Sequence, residues 1–164
     1  MQQLSFISTR WPKAKAPKRE QVCKVLDELI PWAVLEAETR PGYQSDCRRT
    51  GRKGYSLTMM LRCLVLSYVW QLSDEATADF ILDSLAAARF IGTDPWEPRP
   101  PSASAIRNFR HGLQRQQKGF QWLRLKIDAA MAAGGLQWRQ GSAQEPVFKR
   151  VMVKQGEKQA TLEQ

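Results

Sequence analysis

The sequence predicts an all-α protein, a compact bundle of about five helices, from the periodicity of its apolar residues. The stretch from Leu57 to Trp70 is apolar on nearly every side of a helix, so other helices must bury it. Segments on both sides of this stretch repeat apolar residues at spacings of three and four, which is typical of amphipathic helices. With 164 residues, the chain is long enough for one domain with a hydrophobic core and too short for two comfortable ones.

The composition divides the chain into three parts. Residues 1–18 contain prolines and lysines without helical periodicity and predict an extended basic arm. Residues 19–135 predict the helical domain. Residues 136–164 are mixed in character and predict a flexible, irregular tail or one that docks on a partner. The apolar groups of this segment could alternatively form a short strand.

The first helical segment runs from Arg19 to Ile30, is interrupted by Pro31 and resumes to Glu38. The stretch between Arg40 and Gly54 is too rich in glycine and proline for a helix. It is also basic, and the sequence leaves open a solvated connection or a phosphate-contacting loop. The cations that this second alternative assigns to DNA are Arg48, Arg49, Arg52 and Lys53.

Ser73 predicts the cap of a helix that continues to Ile91, with Ala76, Phe80, Ile81 and Leu85 on its buried side. Glu75, Asp79 and Asp83 form an acidic stripe on this helix, which is more typical of a solvated face than of a catalytic site. The last predicted helix runs from Phe120 to Ala133, before two glycines.

The helix that begins after Ser102 has the most informative surface. Ile106, Phe109 and Leu113 share its inward side. The opposite side is basic, and the next acid along the chain is Asp128, so we expect a face free of carboxylates. Arginine binds guanine or phosphate and asparagine binds adenine, so such a helix suits the major groove, although a solvated basic helix is the alternative. The predicted DNA contacts here are Arg107, Asn108, Arg110, His111, Arg115 and Lys118.

The charge is unevenly distributed along a basic chain of net charge +9. Residues 1–56 and 102–135 each carry +5, residues 57–101 carry −3 and residues 136–164 carry +2. Segregated positive charge favours a polyanionic partner. The three cysteines lack a Cys-x-x-Cys pair, which favours a reducing compartment over a disulfide framework and makes a zinc site with His111 improbable. We expect no cofactor, no membrane span and a cytoplasmic, nucleoid-associated protein.

Three motifs resemble the N-terminal helical domain of bacterial transposases of the insertion-sequence-five type. They are Gly51-Arg52-x-x-Tyr55-x-Leu57-x-x-Met60-Leu61-Arg62, Trp70-x-Leu72-Ser73-Asp74 and Pro101-x-x-x-x-Ile106-x-Asn108-Phe109-Arg110-His111. The resemblance covers about residues 20–135, with the Asn-Phe-Arg-His segment as its most specific part. It implies a DNA-binding domain, including a helix-turn-helix-like pair, that recognises terminal inverted repeats ahead of a ribonuclease-H-like catalytic domain with Asp, Asp and Glu metal ligands.

The sequence departs from that family at two points. Ser102 replaces the aspartate that commonly follows the family's proline, and no aspartate occurs from Leu136 to Gln164, where the first catalytic one is expected. Two-metal phosphodiester chemistry needs such carboxylates. We therefore expect a non-enzymatic protein that binds duplex DNA, including inverted repeats, as a regulator or repressor.

The alternative function is a protein-interaction module. An inhibitor or adaptor of this kind would use the basic face or the tail to bind a nucleic-acid-handling enzyme or an acidic protein surface. The sequence leaves open whether the protein forms a homodimer.

Overall fold

The structure is a computed structural model that describes residues 17–43, 54–93, 100–116, 119–139 and 147–150. Within those ranges the chain forms seven α-helices, a short 3-10 turn and two strands. They are α1 (Lys18–Leu29), α2 (Trp32–Thr39), the 3-10 turn (Arg40–Gly42), α3 (Leu57–Trp70), α4 (Asp74–Asp83), α5 (Leu85–Ile91), α6 (Ala103–Arg115), α7 (Phe120–Ala133), β1 (Leu136–Arg139) and β2 (Val147–Arg150). The prediction of an all-α bundle is confirmed.

Helix α3 lies at the centre of the bundle, with the bounds that its apolar pattern predicts. Helices α2, α4, α5, α6 and α7 all pack against it, while α1 packs on α5. Side chains on every side of α3 are buried, including Leu57, Leu61, Leu64 and Leu66. The other helices therefore cover the apolar surface that α3 would otherwise expose to water.

The break between α1 and α2 falls where Pro31 predicts it. Proline has no backbone N–H and disfavours helical geometry in the residue before it. Ile30 accordingly has extended backbone geometry, with ψ 126°. Arg62 of α3 joins the two sides of this break to α5, because it donates to Asp27 Oδ1 and to the carbonyl oxygen of Phe90, each at 2.5 Å. Its guanidinium also lies 4.6 Å from the centre of the Trp32 ring.

The prediction of one continuous helix from Ser73 to Ile91 is wrong. The chain is extended at Ser84, and the Ser84 hydroxyl accepts a hydrogen bond from the Ala87 N–H at 3.3 Å. Serine competes with helix geometry by capping, and here it starts a second helix. Leu85, predicted to be buried, is 57% exposed, whereas Ile81 is buried as expected.

The turn between α3 and α4 sets the direction of the α4 N-terminus. Gln71 has the left-handed backbone geometry, with φ 54°, and the N–H of Leu72 donates to the carbonyl of Ser67 at 2.9 Å. This pattern is a Schellman ending, which usually employs glycine at the left-handed position. Ser73 then caps α4 as predicted, because its hydroxyl accepts from the Ala76 N–H at 3.1 Å.

The segment after α7 is more regular than predicted. Strand β1 pairs antiparallel with β2, with Leu136 opposite Arg150 and Arg139 opposite Val147. Both strands lie in the segment predicted as an irregular tail, and a short strand at Val147-Phe148 was one of the alternatives that the sequence left open. The remainder of the tail lies outside the described residues. The predicted arm does too, apart from Pro17 and Lys18, and Lys18 is the first residue of α1.

None of the described helices combines the length and the apolar character that a membrane span requires.

The stability of the bundle should fall at alkaline pH, because two titratable side chains of α3 have raised pKa values. Burial raises the pKa of the Cys63 thiol from 9.0 to about 12. Burial, followed by the hydrogen bond to Asp128, raises the pKa of Tyr68 from 10.0 to about 12. Both groups are thus neutral when folded, so the stability that they contribute is present below pH 9 and is lost as the pH rises towards 12.

Peptide mapping after alkylation at pH 9 should find Cys63 unmodified in the folded protein and modified in guanidinium chloride. Equal modification of Cys63 under both conditions would contradict the burial of its thiol.

Candidate nucleic-acid interface

Helix α6 is held in one orientation by its cap and its apolar side. The Ser102 hydroxyl accepts from the Ala105 N–H at 3.3 Å, which fixes the start of the helix where the sequence predicts it. Ile106, Phe109 and Leu113 are buried, as expected from their spacing. The Phe109 ring also meets the Tyr43 ring edge to face, with 5.5 Å between the ring centres. The polar side of α6 therefore faces away from the core.

The expectation that this polar side is free of carboxylates is wrong for two arginines. Arg107 Nη2 donates to Glu75 Oε1, and Arg110 Nη2 donates to Asp74 Oδ2. Arg107 Nε also lies 3.7 Å from Asp74 Oδ2. Both acids belong to the first turn of α4, which packs against α6. Two of the cations predicted to contact DNA thus already have anionic partners.

The two arginines differ in how firmly they are held. The Asp74 side chain is only 3% exposed, and Arg110, its partner, is 28% exposed. Glu75 is 62% exposed and Arg107 is 45% exposed, so that pair lies largely in water. Exposed ion pairs contribute little to stability, whereas a buried carboxylate depends on its partners. Arg110 therefore serves the packing of α6 on α4, and Arg107 keeps a weakly held guanidinium at the surface.

The Asp74 carboxylate depends on its arginine partners all the more because one of its oxygens has no hydrogen bond among the described residues. Asp74 Oδ1 is buried and has no hydrogen-bond partner within the described part of the chain. The other oxygen, Oδ2, contacts both arginines. The first-turn position of Asp74 also places its negative charge near the N-terminal end of the α4 dipole.

Sequence reasoning missed Asp74 and Glu75 as members of this surface. They lie 36 and 32 positions from their partners Arg110 and Arg107, and no helical period connects such distant residues. The sequence does show that residues 57–101 and 102–135 have opposite net charge. This difference favours ion pairs between the two segments but does not identify which residues form them.

A second stripe on α6 is exposed and carries no acid. Ser104, Asn108, His111 and Arg115 follow one another at spacings of four, three and four, which places them on one side of the helix. Asn108, His111 and Arg115 are all exposed, and none forms an ion pair with another described residue. Ser104, which sequence reasoning did not select, shares a 3.1 Å hydrogen bond with Ser102. We call these four residues the α6 stripe.

The other predicted DNA contacts lie outside the described residues. They are Lys118, Arg48, Arg49, Arg52 and Lys53. Arg40, at the edge of the same basic loop, lies 3.4 Å from Glu36 in an exposed pair.

Metal-binding groups do not come together in the described ranges. No set of three or more histidine, cysteine, aspartate or glutamate residues there is placed to hold a metal ion. Cys23 and Cys63 are both buried.

The fold and the α6 surface define a helical-bundle domain in which α6 presents an exposed polar face. The chain belongs to the family described as Transposase domain (DUF772), which matches residues 12–112. That match spans α1 to Gly112 of α6, and it includes Asp74, Glu75 and both of their arginine partners. No solved structure matches the chain. The protein is therefore transposase-related.

Removing the charge of Asp74 should destabilise the bundle far more than removing that of Glu75. We expect Asp74→Asn to lower the free energy of unfolding by about 2 kcal/mol, because a partly buried arginine loses its ionic partner. Glu75→Gln should cost less than about 1 kcal/mol, since that pair is exposed. Guanidinium chloride unfolding followed by circular dichroism measures both.

Asp79→Asn is the matched control, because Asp79 is an exposed aspartate of the same helix. Equal losses for Asp74→Asn and Asp79→Asn would show that the contact between Asp74 and Arg110 does not stabilise the packing of α4 on α6.

Proposed function

We propose that this chain is a DNA-binding regulator derived from the N-terminal domain of an insertion-sequence-five type transposase. In this proposal it binds duplex DNA through α6 without cleaving it, and it acts as a repressor of transposition, as a competitor for the element's ends or as a regulator of another process. The observation that carries the proposal is the α6 stripe, an exposed polar face without acids on a helix held by the core.

The chemistry of the stripe suits base edges. Asparagine donates and accepts in the pattern that adenine presents in the major groove, and arginine matches guanine. Histidine and serine add donors and acceptors of shorter reach. From Ser104 to Arg115 the helix rises by about 16 Å, so the stripe is long enough to follow several base pairs.

The neighbouring arginines take different roles in this proposal. Arg107 is half exposed beside the stripe and is available to a phosphate. Arg110 holds α6 to Asp74 and positions the stripe without itself contacting DNA. This assignment revises the expectation that both arginines bind DNA directly.

The proposed DNA site comes from the resemblance. Transposases of the insertion-sequence-five type recognise terminal inverted repeats, so we propose inverted repeats as the preferred sequence and a homodimer as one arrangement that would match their symmetry. The protein partner predicted for residues 136–164 stays a prediction.

The salt dependence of DNA binding tests the proposal. Contacts to four to six phosphates should give a log–log slope of roughly −4 to −5 between the association constant and the salt concentration. Fluorescence anisotropy of a labelled duplex of random sequence measures that slope with the full chain. Arg115→Ala should weaken binding several-fold, because it removes an exposed cation of the stripe that has no carboxylate partner among the described residues.

Arg89→Ala is the matched control, since Arg89 is an exposed arginine of α5. Equal losses of affinity for the two variants would show that α6 is not part of the DNA interface. If the unaltered protein binds no duplex at low salt, the proposal is refuted.

The proposal also predicts that the chain does not cut DNA. The resemblance implies a first catalytic aspartate shortly after Gly134 and Gly135, and residues 136–164 contain no aspartate to serve as this ligand in two-metal phosphodiester transfer. Supercoiled plasmid incubated with the protein and Mg²⁺ should stay supercoiled. Nicking that depends on Mg²⁺ and remains proportional to the protein through successive purification steps would refute this part.

A further inference from the structure

We infer that Glu75 is an intramolecular competitor for Arg107, which a DNA phosphate displaces from the guanidinium when DNA binds. The inference rests on the proposed function and adds an acidic residue to the DNA-binding surface. It assigns Arg107 to the phosphate backbone and gives Glu75 a role in setting the affinity.

The first step of the argument is the chemistry of the contact. Glu75 offers Arg107 a carboxylate oxygen, the same type of anionic acceptor that a phosphate offers. Arginine binds either anion through the same N–H groups, so one guanidinium edge cannot serve both at full strength. Binding a phosphate on that edge therefore requires Glu75 to leave.

The second step is exposure, which makes the exchange feasible. The Glu75 and Arg107 side chains are 62% and 45% exposed, so water and a phosphate can reach both. An exposed pair of this kind is weak and opens at little cost. The contact between Arg110 and Asp74 differs, because Asp74 is 3% exposed and an approaching phosphate cannot replace it without opening the packing of α4 on α6.

The third step is the position of Arg107 after exchange. Arg107 Nε lies 3.7 Å from Asp74 Oδ2. The buried carboxylate therefore continues to hold the Nε side of the guanidinium when Glu75 leaves. Arg107 is thus kept beside the α6 stripe, with its terminal nitrogen free for the phosphate.

A double-mutant cycle tests the inference with the full chain and a labelled duplex of random sequence, because phosphate contacts do not depend on sequence. Glu75→Gln should raise the affinity about fivefold, which corresponds to the release of one exposed ion pair. In the Arg107→Ala background the same substitution should change the affinity by less than about twofold, because the competition no longer exists. Arg107→Ala alone should weaken binding.

Asp83→Asn is the control for charge alone, since Asp83 is an exposed acid of α4 without an ion pair among the described residues. It should change the affinity by less than about twofold. Circular dichroism of each variant confirms that the fold is retained, and Glu75→Gln is placed at an exposed position where folding should persist.

The outcomes separate this inference from the proposed function. An equal gain for Glu75→Gln in both backgrounds, an equal gain for Asp83→Asn, or no gain for Glu75→Gln overturns the competition. If Arg115→Ala still weakens binding in that case, the proposed function stands without it. Absence of DNA binding by the unaltered protein overturns both.

Discussion

The burial of α3 is the constraint on which the rest of the structure depends. A helix with apolar side chains on every side is stable in water only when neighbours cover most of its surface, and five other helices pack against α3. This requirement determines which side of each neighbour faces inward. It also explains why α6 keeps its polar residues together on the outside, since Ile106, Phe109 and Leu113 are taken up by the core.

Charge pairing is the second level of organisation. The acids of the central segment and the cations of the later segment are separated along the chain but meet where α4 packs on α6. The resulting contacts are graded, from Asp74 with Arg110 near the core to Glu75 with Arg107 at the surface. The Arg110 pair is therefore part of the packing between the two helices, whereas the Arg107 pair lies largely in water.

The match to the transposase-domain family covers all four residues of these ion pairs. The DNA-binding role proposed for α6 requires a rigid support and a free surface, and α3 and α4 both pack against this helix. The free surface is the α6 stripe. In the further inference, Glu75 beside this stripe is a weak internal competitor that would limit how tightly sequence-independent contacts hold DNA.

Sequence alone determined the helical class, the bounds of α3 and α7, the break at Pro31 and the buried side of α6, because these follow from local periodicity and from proline geometry. It also identified Asn108, His111 and Arg115 as exposed polar residues. Only the tertiary structure decided the break at Ser84, the pairing of β1 with β2, and the partners of Arg107 and Arg110. Those features depend on competition between local geometries or on contacts between residues far apart in the chain, and no periodic pattern records which distant groups the fold brings together.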